Sequence, residues 1–334
     1  MKPSDLLIPT PAGLHCPMAD AYVDPVRPVE RALITHAHSD HARAGHGSVL
    51  ATAETLAIMA ARLGDDFCRT QQAVSLGETL DLGGVRVRFH PAGHVLGSAQ
   101  IAFEAGGLRI VASGDYKRQA DPTCMPFEPV PCDVFISEAT FALPVFRHPD
   151  PGHEIGKLLV SLALFPERTH LVGAYSLGKA QRLIAMLRRA GHDAPIHLHG
   201  AMEKVTRLYE DRGIALGDLR LVRETAPRDL AGRVVLCPPG AMHDLWARKM
   251  PEPLTAYASG WMRIRARARQ SGAELPLVVS DHADWPDLQR TILETGCSEL
   301  WVTHGQEDAL VHWATGEGLK ARPLHMVGYG EEEA

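Results

Sequence analysis

The chain has 334 residues, a net charge of −6, 45% hydrophobic and 22% charged residues. That length suggests two domains, or one domain carrying a large insertion, and the composition is ordinary for a globular protein with no apolar run as long as a membrane span. The acidic balance argues against a general nucleic-acid coat, whose affinity comes from Lys and Arg neutralising phosphates. It leaves room for a local basic groove beside a metal site, where bound ions add charge that the formal count omits.

The six cysteines (Cys16, Cys68, Cys124, Cys132, Cys237 and Cys297) form no C-x-x-C pair. Reduced thiols in a cytoplasmic protein are the simplest expectation, and the start Met1-Lys2-Pro3-Ser4-Asp5 lacks a secretory pattern. Any metal chemistry is then that of His and Asp.

Residues 1–34 are short apolar pieces broken by Pro and Gly, as in a β-rich start, with Asp24 in Tyr22-Val23-Asp24-Pro25. Arg31 to Ile34 reads as a strand leading into Thr35-His36-Ala37-His38-Ser39-Asp40-His41. If His36 and His38 end that strand, its period of two puts both imidazoles on one face. Asp40 and His41 then reach round from a turn, which offers two adjacent metal positions. Imidazole with carboxylate suits zinc, manganese or iron; a solvated polar turn is the plain alternative.

Ala53 to Leu63 predicts a helix stopped by Gly64, and Thr79 to Phe89 two strands around Gly83-Gly84. His90 to Ala99 is a loop of small residues containing His94. Ile101–Phe103 and Leu108–Ala112 predict strands, and the latter delivers Asp115 just beyond its end. Val134 to Ser137 repeats the design with Glu138. Taken alone, each carboxylate could equally be a cap or turn former.

From about Phe146 the texture changes to alternating strands and helices. Thr169 to Tyr175 reads as a strand, and Ser176-Leu177-Gly178-Lys179 opens a helix running to Ala190. Ala194–Leu198, Leu219–Val222 and Arg233–Cys237 follow as strands, which predicts a parallel α/β unit inserted between residues near 145 and 272. Arg263, Arg265, Arg267 and Arg269 alternate with apolar residues. On a strand they would form a basic wall for single-stranded backbone, on a helix they would spread, and a charge-blunted edge strand is the other reading. Residues 275–282 and 299–304 return to the earlier design, with strands ending at His282 and His304. His197-Leu198-His199 has the H-x-H spacing, but Gly200-Ala201 follows instead of Asp-His. It is set aside, as are His46, His90, His243 and His325. The Glu331-Glu332-Glu333 tail is expected to be solvated.

Asp24, His36-Ala37-His38-Ser39-Asp40-His41, His94 in Ala92-Gly93-His94 and Asp115 in Ser113-Gly114-Asp115 resemble, in order, the four motifs of the metallo-β-lactamase fold. Glu138, His282 in Ser280-Asp281-His282-Ala283-Asp284 and His304 in Thr303-His304-Gly305 resemble motifs A, B and C of its β-CASP nucleases. The retained His304 sets the chain apart from Artemis-like enzymes, whereas Tyr175-Ser176-Leu177-Gly178-Lys179 is similar to a stretch of that branch. With Ser259-Gly260-Trp261-Met262 and the compact length, the mixture looks most like the bacterial ligase-associated DNA exonucleases.

The resemblance implies an αββα sandwich formed by residues 1–145 and 273–334, with an inserted β-CASP α/β domain at 146–272. It implies two divalent ions, Zn2+ or Mn2+: one on His36, His38, His94 and Asp115, the other on Asp40, His41, Asp115 and His304. Asp24 and Ser39 would orient these ligands. Two ions about 3.5–4 Å apart can generate hydroxide and stabilise a pentavalent phosphorus. Asp40, Glu138 and His282 would complete the catalytic set, with His282 the general acid held by Glu138, since a carboxylate beside an imidazole favours its protonated form. Ser176, Gly178 and Lys179 would grip a phosphate where a strand turns into a helix. The implied substrate is single-stranded DNA in repair, with a functional link to a DNA ligase and helicase and no membrane. An RNase of the RNase J or 3′-end-processing type is the alternative, and a small-molecule hydrolase of this fold a more distant one.

Overall fold

A computed structural model describes residues 1–326; the Glu331-Glu332-Glu333 tail lies outside them. The chain divides into two compact units, one built from Met1–Val145 with the segment from His282 onward, the other from Phe146–Asp281.

The first unit holds two sheets. One has six strands in chain order: Ile8–Thr10, Gly13–Cys16, Ala21–Val23, Arg31–Leu33, His46–Ala51 and Cys68–Ala73. The other has seven, in the order Lys320–Pro323, Glu299–Gly305, Val134–Ala139, Leu108–Ala112, Ala99–Ala105, Val85–Pro91 and Thr79–Leu82. Alternation decides which side chains meet. Ile101, Phe103, Ile110, Val134, Ile136 and Trp301 pack in one core with Leu14, Val23, Leu33 and Leu50 of the first sheet. The intervening Ala102, Val111, Phe135, Leu300 and Val302 face the other way, onto Leu288 and Ile292 of helix Trp285–Thr295 and Leu310 and Ala314 of helix Glu307–Gly316. Helix Ala53–Leu63 runs as its sequence predicts, capped by Thr52 and ended by Gly64.

The second unit has one all-parallel sheet, ordered Leu219–Leu221, Ile196–Leu198, Val234–Cys237, His170–Gly173, Leu254–Ala258 and Leu275–Leu277. Its central strands are buried along their whole length, as expected for a parallel sheet. The unit closes at Asp281, not near residue 272, because Leu275 pairs with Ala256 and adds a last strand to this sheet. The arginine series also differs from a basic wall. Arg265–Gln270 is a helix, so the exposed Arg263, Arg265, Arg267 and Arg269 point in different directions, and Arg267 lies 3.8 Å over the Trp261 ring.

Among the described residues no helix is long and apolar enough to cross a membrane. All six cysteines are free. Burial pushes the Cys132 and Cys237 thiols up to about 12, which makes them poor nucleophiles.

Burial also lowers the pKa of His170, His192 and His197 in the second unit below the ordinary value of 6.5. Unfolded, these imidazoles take up protons near that value; folded, they resist. Stability is therefore present above about pH 6.5 and is lost as pH falls below it. The melting temperature should drop between pH 7.5 and 5.5, and thermal unfolding of His197→Phe should show a shallower drop.

Candidate metal centre

Every residue of the candidate site lies at or beyond the carboxyl end of a strand. Asp24 follows Ala21–Val23, the His36–His41 run follows Arg31–Leu33, His94 follows Val85–Pro91, and Asp115 follows Leu108–Ala112. Glu138 and His304 are near the ends of Val134–Ala139 and Glu299–Gly305. Strand directions bring these ends of the seven-stranded sheet to one edge.

His36 and His38 are not strand residues: the strand stops at Leu33. Asp24 is the reason. Its Oδ1 accepts from the Thr35 backbone N–H at 2.7 Å and its Oδ2 from the Thr35 hydroxyl at 2.6 Å, which draws the chain out of the ladder. The imidazoles converge through this turn instead of through strand alternation. Asp24 itself has φ 41 and His304 φ 60. Such left-handed backbone costs about 1–3 kcal/mol for a non-glycine residue, and it is tolerated here where side chains must be aimed. Next to His304, Gly305 also has a positive φ, and a Cβ on it would come within 2.4 Å of the Ala139 carbonyl oxygen.

The hub is Asp115. Its Oδ2 lies 3.5 Å from His36 Nε2, 3.4 Å from His41 Nε2, 3.8 Å from His94 Nε2 and 3.9 Å from His282 Nδ1. His38 Nδ1 lies 2.9 Å from His94 Nε2. His41 Nε2 is 3.6 Å from Asp40 Oδ2, and the His41 and His304 rings stack at 4.9 Å. Ligand atoms of His36, His38, His94 and Asp115 all lie within 4.8 Å of one another and could hold a metal ion. Those of Asp115, Glu138 and His282 form a second such group. Of the expected orienting residues, Asp24 is buried and engaged, whereas Ser39 is exposed.

Hydrogen bonding fixes which ring nitrogen faces inward. The Thr35 hydroxyl spends its proton on Asp24, so its oxygen accepts from His36 Nδ1–H at 3.1 Å. The His36 Nε2 lone pair is left facing the Asp115 carboxylate, a repulsive pairing unless a cation lies between them. His36 Nε2 and Asp115 Oδ1 are both buried without a hydrogen-bond partner. His41 likewise donates Nδ1–H to Asp24 Oδ2 at 2.8 Å. Orphaned nitrogens and carboxylate oxygens of this kind fit a divalent cation.

The electrostatics agree. Burial holds His36 well below 6.5, and with His41 beside it pushes His304 down to about 3, so both are in the neutral, ligating form. Burial also opposes a charge on His41, but Asp115 and Asp40 outweigh it and hold the imidazole well above its usual value. Burial pushes Asp115 up, and the adjacent His41 overcomes this to hold its carboxyl well below the carboxylate range.

Glu138 is fully buried, accepts the Tyr116 backbone N–H at 2.8 Å, and meets His282 Nδ1 at 2.9 Å. The register of its strand shifts between Ser137 and Ala139, and such a bulge re-aims a side chain. Two contributors were not legible in the sequence. Thr35 opens the His-rich stretch, but nothing there assigned its hydroxyl a role. Lys117 was not singled out, yet it is 1% exposed and ties the His94 carbonyl, at 3.0 Å, to Asp121, at 2.6 Å. No sequence spacing marks either.

Ser176, Gly178 and Lys179 depart from a phosphate cradle. Lys179 is 3% exposed, its ammonium is 3.3 Å from Asp281 and 4.7 Å over the Tyr175 ring. The Gly178 N–H donates to Gln181 Oε1, and the Gln181 amide donates to the Ser176 carbonyl. With Arg182, which bonds the Ser280 carbonyl, these groups fasten the Ser280-Asp281 segment within the second unit.

Thr35→Val keeps the shape and removes the hydroxyl relay. Metal affinity should fall about 10–100-fold, the usual cost of losing an orienting partner, with the fold retained. Metal content after equilibrium dialysis, beside an unchanged circular dichroism spectrum, checks this.

No family model matches the chain. It is 32% identical over 93% of its length to a probable DNA ligase of Opitutus terrae, of which it matches 32%. It is 29% identical to cleavage and polyadenylation specificity factor 73 of Drosophila melanogaster over 46% of this chain and 24% of that one, and 29% identical to endoribonuclease YSH1 of Mycosarcoma maydis over 53% and 25%. The chain thus spans a third or less of the curated relatives it matches. A solved structure of a protein of unknown function from Enterococcus faecalis V583 shares the α/β fold with a TM-score of 0.52 at 16% identity, covering 82% of this chain and 75% of that one. A relative matched along 93% of this chain, cleavage-factor relatives and an ordered His/Asp set gathered on Asp115 lead to one conclusion: the chain belongs to the β-CASP nuclease family.

Proposed function

We propose that the chain is a metal-dependent phosphodiesterase acting on nucleic acid, a single-strand DNA exonuclease that works in repair beside a DNA ligase. In this reading its first unit is the metallo-β-lactamase sandwich and its second the inserted β-CASP domain. The observation that carries the reading is the ring of imidazole nitrogens around Asp115 Oδ2, with the His282–Glu138 pair at its side.

His36, His38, His94 and Asp115 would hold one divalent ion, and Asp40, His41, Asp115 and His304 a second. Such ions, when bound, supply Lewis acidity at the phosphoryl oxygens and lower the pKa of water. As hydroxide bonds to phosphorus and the bond to the departing oxygen breaks, His282 donates its proton to that oxygen. Glu138 accepts from His282 Nδ1, which leaves Nε2 as the nitrogen for substrate, and the side chain is 21% exposed. The DNA assignment draws on the relative named as a probable DNA ligase, a third of which matches this chain. The cleavage-factor and endoribonuclease relatives, with His304, favour an RNase as the second reading.

The test incubates the purified protein with end-labelled single-stranded DNA and RNA of matched sequence, with and without manganese or zinc. Mononucleotides released progressively from DNA are expected; preferential internal cleavage of RNA would replace the proposal with the second reading, and no cleavage of either would remove both. His282→Ala should lose about 10²–10⁴-fold in rate with its metal content intact. A rate within a few-fold of wild type would dismiss His282 as the acid.

A further inference from the structure

The His197-Leu198-His199 run, which has no place in the metal centre, ends at a cavity of the second unit. In that parallel sheet the chain steps from His170–Gly173 to Ile196–Leu198 and on to Leu219–Leu221. It then reverses to lay Val234–Cys237 between the first two. Open parallel sheets bind ligands beyond the carboxyl ends of their strands at such a reversal. The segments that follow these strands line a cavity of about 450 Å³: His199 after one, Arg223 after the next, Trp246 and Lys249 after the third. That volume suits a small organic ligand.

The lining is apolar below and cationic at the rim. Leu230 and Met250 are buried and form part of the wall. Trp246 is fixed by its Nε1–H, which donates to the Ala241 carbonyl at 2.9 Å, and its ring centroid is 4.9 Å from that of His199. An indole held this way offers a stacking face to a planar ring. Arg223 bonds Glu203 at 3.0 Å and has Glu224 at 3.6 Å, while its Nη1 lies where a side chain on Gly200 would come within 3.3 Å. None of the described residues lining the cavity is a carboxylate, so Arg223 and Lys249 are its charged lining groups, with Glu203 and Glu224 holding Arg223 from outside the lining.

We propose that this cavity binds a nucleoside monophosphate, with the base against Trp246 and the phosphate at Arg223 and Lys249. The site goes beyond the nuclease reading and stands whether or not the metal centre hydrolyses nucleic acid.

The experiment titrates AMP and dAMP, and separately adenosine and inorganic phosphate, into the full chain stripped of metal by a chelator, followed by calorimetry. A single site with Kd below ~1 mM is expected for the monophosphates, with adenosine and phosphate each weaker. Affinity should fall about tenfold or more in Trp246→Ala and in the Arg223→Gln/Lys249→Gln double variant, and hold in His36→Ala. The double variant changes two exposed side chains, so it carries the test even if Trp246→Ala fails to fold. Absence of binding at ~5 mM, equal affinity for phosphate alone, or loss of binding in His36→Ala but not in the cavity variants would overturn the proposal.

Discussion

One carboxylate oxygen, Oδ2 of Asp115, has four imidazole nitrogens within 3.9 Å. Burying that charge is costly unless positive groups surround it. His41 supplies the compensation, and its own charge is sustained by the same carboxylate with Asp40. His36 and His304 then stay neutral, because burial and the protonated His41 beside them both disfavour a further charge. The first unit is arranged so that strand ends from both sheets deliver these groups to one place. A divalent ion would take over the role that the His41 proton plays.

The site was legible where residue type alone carried the chemistry. His and Asp standing just past apolar strand segments mark candidate positions, and Asp24, His36, His38, His41, His94, Asp115 and His304 are gathered in one neighbourhood. Legibility failed where a residue acts through tertiary partners. Strand alternation was the wrong route for His36 and His38, because Asp24 takes hold of Thr35 before the ladder can continue. Thr35 and Lys117 were missed because nothing in sequence tells a hydroxyl or an ammonium that will be buried from one that will be solvated.

The second unit teaches the same lesson in reverse. Ser176-Leu177-Gly178-Lys179 has the residue types of an anion cradle, but Gln181 and Asp281 satisfy its donors from within. The alternating arginines needed a strand to make a wall, and the local sequence forms a helix. In both places the composition suggested a ligand, while packing assigned the groups to structure. Four of the six strands of this sheet were legible as short apolar runs; Leu254–Ala258 was not singled out, and Leu275–Leu277 was assigned to the other unit although it pairs here.

The seam where Gly305 lies against the Ala139 carbonyl couples the placement of two strand ends. His304 sits on one side of it and Glu138 on the other, so a bulkier residue at 305 would shift both side chains together. The seam thus acts as a shared hinge pin: whatever moves one of these two groups moves the other.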